Sequence, residues 1–125
     1  MINNNFFSTQ QFNRYKQQQY SKIYQHELAH KTTAGSLAAG SIVIEKDKDG
    51  IPVAGHVEVK MPSVDYNNPD KTIKEATTVI NSALAPDEPS TQDLKVAGEA
   101  RGILADAKQV KNQNGECGQR LNFIA

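Results

Sequence analysis

The sequence predicts an α+β fold: one helix, a β-hairpin and two further helices in a compact single domain. Three observations predict it. The stretch from about Gln11 to Ala34 holds neither Pro nor Gly and spaces apolar residues at helical intervals. Two β-branched runs flank a connector that closes on Asp-Gly. Two later segments each open on a capping signature and repeat apolar residues every three or four positions.

Residues 1–18 are dominated by Asn and Gln with scattered aromatics, so they bring little burial energy to offset backbone ordering. They are expected to form a flexible arm, with the folded domain over 19–112 and a Gly-broken tail over 113–125. In the first helix Tyr20, Ile23, Tyr24, Leu28 and Ala34 share one face, and Gly35 supplies the stop. Ser41 to Glu45 and Ile51 to Val59 are the expected strands, joined through Lys46-Asp47-Lys48-Asp49-Gly50. The period of two puts Val53, Gly55, Val57 and Val59 on one face of the second strand. Ala54, His56, Glu58 and Lys60 fall on the other. Asn68-Pro69-Asp70 reads as cap, first position and acidic first turn of the second helix, whose stripe is Ile73, Ala76, Ile80, Ala83 and Leu84. Ser90 and Asp93 read as a capping box for the third, continued by Leu94, Ala97, Ala100, Leu104 and Ala107.

Composition excludes several classes of function. Fourteen basic residues balance fourteen acidic ones, so no general field draws the chain to nucleic acid or an anionic membrane. One Cys makes no internal disulfide. No apolar run is long enough to span a membrane, and the first twenty residues have no signal-peptide core, so a cytoplasmic location is expected. Hydrophobic residues make up 38% and aromatics 6%, which leaves a thin core built on Ala, Val, Ile and Leu.

The chemistry concentrates in His26-Glu27-Leu28-Ala29-His30, an H-E-x-x-H motif. Residues four apart on a helix sit one turn above each other, so both imidazoles can converge on one ion while Glu27 reaches a water beside it. With three His and seven Glu in the chain, chance supplies this pattern about 0.004 times. A catalytic zinc site needs a third protein ligand and an open position. The metzincin continuation is absent, since Thr33 and Ser36 stand where Gly and His are required. His56 is the favoured third ligand because it is the remaining imidazole, with Glu58, Asp93 and Glu99 in reserve. Tyr24, Lys60 and Tyr66 are candidate oxyanion donors.

These residues resemble the SprA-related family of bacterial metallopeptidase-like proteins. The matching segments are Gln25 to His30, Asp49 to Val57, Asn68-Pro69 with Thr72-Ile73, and Ala85-Pro86 with Pro89-Ser90, Gln92-Asp93 and Val96-Ala97. In that family Glu usually follows the hairpin Gly; here His56 stands there, which keeps a metal-binding side chain. The resemblance implies a zincin-like, zinc-dependent peptidase domain acting on a peptide or protein substrate. Asp93 falls in a segment matching the family, where it caps a helix or orients a ligand His.

The expected activity is therefore hydrolysis of peptide bonds, with Zn²⁺ on His26, His30 and His56 and with Glu27 activating a water. The alternative is a non-catalytic, zinc-stabilised interaction or scaffold domain, in which Cys117 is a candidate fourth ligand. The Gln/Asn-rich arm is a candidate assembly segment.

Overall fold

The computed structural model describes residues 2–124, with side chains described for residues 9–115. Its order is α1 (Ile2–Ala34), a 3₁₀ turn (Gly35–Leu37), β1 (Ala38–Lys46), β2 (Pro52–Val59), α2 (Pro69–Ala83) and α3 (Thr91–Ile124). The architecture is the α+β arrangement read from the sequence.

Local chemistry explains most boundaries. No Pro or Gly interrupts the chain before Gly35, so α1 runs on through the Gln/Asn-rich segment and starts nine residues earlier than apolar periodicity alone suggests. It ends where Gly35 takes a positive φ of 56°. Between the strands, the Asp47 carboxylate accepts from the N–H groups of Asp49 and Ile51 at 2.9 and 3.0 Å, while Gly50 adopts φ 80°. At the start of α2 the Asn68 side chain accepts from the Lys71 N–H, and Pro69 occupies the first turn. At the start of α3 Ser90 and Asp93 bond reciprocally: Asp93 N–H to Ser90 Oγ at 3.0 Å and Ser90 N–H to Asp93 Oδ2 at 2.8 Å. That is the capping box the sequence announces. Beyond Asn112 the backbone stays helical to Ile124, where the sequence suggests a broken tail; a helix already running propagates through single glycines at a modest cost.

The two strands pair antiparallel, with Val43 opposite His56 and Ile44 opposite Gly55. The apolar face of the hairpin lies on α1. Closest approach is at Gly55: a Cβ there would lie 2.5 Å from Ile23 Cγ2 and 3.0 Å from Glu27 Cγ. Only glycine lets β2 come this near the helix. α2 and α3 pack through small residues, burying Ala76, Val79 and Ala83 against Ala97, Ala100 and Ala107. Thr72 and Ser82 are buried with them and satisfied, Thr72 by the 63–65 loop and Ser82 by α1. The core is thin, as composition implies.

Candidate metal centre

The H-E-x-x-H residues sit on the inward face of the last two turns of α1. Glu27 is 7% exposed and His30 6%. The rings of His26 and His30 lie 4.9 Å apart between centroids, close to perpendicular. His26, Glu27 and His30 bring one potential ligand atom each to within 4.8 Å of one another.

The side chain that joins them is Asp93, from the first turn of α3. Its Oδ2 lies 2.9 Å from His26 Nε2 and its Oδ1 3.1 Å from His30 Nε2. On its other side the His30 Nδ1 lies 2.7 Å from the Ser82 carbonyl oxygen. A carbonyl only accepts, so Nδ1 carries a proton and Nε2 is the ring nitrogen left facing the carboxylate. A neutral imidazole lone pair and a carboxylate repel at 3.1 Å unless a cation lies between them. That cation is either a proton or a metal ion. The 2.9 Å contact is a hydrogen bond between His26 Nε2 and Asp93 Oδ2. His26, Glu27 and His30 are a group whose chemistry could hold a metal ion.

The supports of this cluster are polar and short. Ser82 Oγ donates to the His30 carbonyl at 2.7 Å, so Ser82 and His30 are tied through both backbone and side chain. Burial pushes Asp93 upward. The N–H and hydroxyl of Ser90, together with His30 and His26, outweigh it and hold the carboxyl below its ordinary value. Glu27 is the reverse case: burial raises it, Asp93 adds to the rise, and His30, His26 and, least, His56 only partly offset it. A carboxylate raised in this way is a better proton acceptor than a surface one.

His56 lines the same cleft as Glu27, His30 and Asp93 but is not bonded to them. It lies on the outer face of β2, its side chain 58% exposed and its Nδ1 3.6 Å from Glu45 Oε1. The strand parity read from the sequence is right. The physical reason is Gly55: the face that α1 accepts at this contact is the one without a side chain, which turns His56 outward. Glu58 and Glu99 are exposed, and of the reserve ligands only Asp93 meets the histidines. The Cys117 side chain lies outside the described residues. Tyr24 stacks on Tyr20, Lys60 is exposed and Tyr66 is 70% exposed; none of them lines the two cavities at the cluster. Sequence reasoning passed over Ser82. A hydroxyl embedded in the α2 stripe of Ala76, Val79 and Ala83 was the available signal, because a buried Ser needs a partner.

Two openings meet at the cluster. A cleft of about 180 Å³ lies between β2 and the α2–α3 pair. A wider groove of about 890 Å³ runs between α1, the start of β2 and the α2–α3 connection. They share Glu27, Gly55 and Ser90, so the cluster stands at their junction.

The model of the SprA-related family matches residues 6–116. The chain belongs to the SprA-related family. That match spans α1, the hairpin, α2 and most of α3, so the H-E-x-x-H helix and Asp93 both fall inside the family's extent. No curated protein and no solved structure matches the chain. Among the described residues, no helix is long and apolar enough to cross a membrane.

Proposed function

We propose that this chain is a zinc-dependent peptidase in which His26, His30 and Asp93 hold the ion and Glu27 is the general base. The observation that supports this reading is the carboxylate of Asp93, brought from α3 across both Nε2 atoms of the α1 motif. His56, the third ligand expected from the sequence, gives way to Asp93 in this reading because it lies on the outer strand face.

When bound, a divalent ion supplies Lewis acidity, polarising a carbonyl and making a nearby water easier to deprotonate. The chain's own residues do the rest. The Ser82 carbonyl keeps the proton on His30 Nδ1, so Nε2 stays a donor to the ion. Ser90 aims the Asp93 carboxylate from the helix end. Glu27 takes a proton from the attacking water onto its carboxylate and returns it to the leaving amine nitrogen. The groove and the cleft open on either side of Glu27, so a peptide crossing this junction passes the proposed base.

The test combines metal content with turnover. Chain purified without added metal is expected to carry close to one equivalent of zinc, lost in His26→Ala. Glu27→Gln is expected to keep the zinc and lose at least about a hundredfold in peptide hydrolysis. Less than a tenth of an equivalent, unchanged in His26→Ala, contradicts the metal assignment. Zinc without hydrolysis in either protein would favour the non-catalytic scaffold.

A further inference from the structure

Resting on the peptidase reading above, we infer that the 180 Å³ cleft is a selectivity pocket for one aliphatic side chain of an extended peptide, next to the bond that is cut. The apolar walls of the cleft are Val57 and Val59 from β2, Val79 and Ala83 from α2, and Val96 from α3. Val79 and Ala83 are buried, 1% and 5% exposed, so the floor is fixed by the core. Six polar residues also line the cleft. His30, Ser82, Ser90 and Asp93 already bond one another, Glu27 is the proposed base, and His56 faces solvent, 58% exposed and beside Glu45. The four bonded residues offer little to a polar substrate side chain. An aliphatic group is what the remaining surface can bury, and the volume suits one side chain rather than two.

The backbone beside the cleft indicates how the rest of the peptide lies. β2 pairs with β1 along one edge, and among the described residues the sheet has no third strand. Residues of β2 line both openings, Val53 to Gly55 the groove and Gly55 to Val59 the cleft. A peptide extended along the free edge of β2 gains main-chain hydrogen bonds without regard to sequence. It also crosses the junction at Glu27 with alternate side chains directed to one side. One of these enters the cleft. Affinity then comes from the strand edge, and choice of sequence from the valine-lined pocket.

The proposal is tested on the full chain carrying Glu27→Gln, in which bound peptide stays intact, using capped glycine pentapeptides with leucine, alanine or aspartate at the centre. Methyl-resolved NMR titration is expected to shift Val57, Val79 and Val96 with the leucine peptide. Burying three further carbons predicts binding at least about tenfold tighter for leucine than for alanine, and none measurable for aspartate. Val96→Phe fills the pocket and is expected to abolish the leucine preference; Val57→Phe repeats the test from the strand wall should the first variant fail to fold. Equal binding of leucine and alanine, or unmoved valine methyls, overturns the pocket. In the wild-type chain, cleavage products from a random peptide mixture are expected to show Leu, Ile, Val or Met adjacent to the cut. Cleavage without that preference overturns the pocket and leaves hydrolysis standing. Leucine binding in the cleft without any cleavage upholds the pocket and overturns hydrolysis.

Discussion

Asp93 does two things with one carboxylate. It closes the capping box of α3 through Ser90, and it faces both imidazoles of α1. The two roles separate by substitution. Asp93→Asn keeps an oxygen able to cap but removes the negative charge, whereas Asp93→Ala removes both. Both are expected to weaken zinc binding at least about tenfold by calorimetric titration. Only Asp93→Ala is expected to cost about 1 kcal/mol of metal-free stability in denaturant unfolding. His56→Ala is expected to change zinc affinity less than about twofold, because its exposed ring pairs with Glu45 rather than with the cluster. A larger loss would restore His56 as a ligand. The sequence displayed Asp93 first as a cap, because the capping signal is local, three residues long, and only as a reserve among the possible ligands. Its second role depends on a contact spanning 67 residues, which no spacing rule reports. His26, Glu27 and His30 were legible for the opposite reason: a single helix carries them all.

Among the elements, α1 and β2 set the geometry of the proposed base. Their approach is fixed by Gly55, whose missing side chain leaves room for Ile23 and Glu27. Gly55→Ala puts a methyl into that contact, with Ile23 Cγ2 and the Glu27 Cγ both too near to stay put. The expected result is a loss of about 1–3 kcal/mol in unfolding free energy. Because Glu27 itself is displaced, hydrolysis should fall further than zinc content does, and measuring both distinguishes a shifted base from a lost site. Helix starts, the Asp-Gly turn and the alternation along β2 were all readable, since each is decided within a few residues. Which face of the hairpin meets α1 was not. That is decided by the absence of a side chain at one position, and a glycine in a strand reads equally as a bulge. α1 and α3 also extend beyond the reach of apolar periodicity, because their outer segments are rich in Asn and Gln or broken by Gly and carry no apolar stripe.

At the scale of the whole fold, among the described residues the buried hydrophobic core is Ala with a single Val, namely Ala34, Ala76, Val79, Ala83, Ala97, Ala100 and Ala107. Such a core buries little area per residue, so a link between α1 and α3 weighs heavily in the balance. In the proposed reading zinc supplies that link. At free zinc about a hundredfold above its dissociation constant, binding to the folded state adds about 2.7 kcal/mol. For a chain of this size that corresponds to a rise in Tm on the order of 10 °C, reversed by a chelator and absent in His30→Ala. Thermal unfolding with and without added zinc checks it. The sequence announced the thin core through its Ala content and low aromatic fraction, and only the fold revealed that both halves of the chain meet at the proposed metal site.

The most direct measurement of the central claim is a zinc-edge anomalous diffraction map of the chain crystallised with zinc. The account predicts one strong peak within about 2.0–2.2 Å of His26 Nε2, His30 Nε2 and an Asp93 carboxylate oxygen, with a fourth position open to solvent beside Glu27. A peak ligated by His56 in place of Asp93, or no peak between α1 and α3, would contradict it.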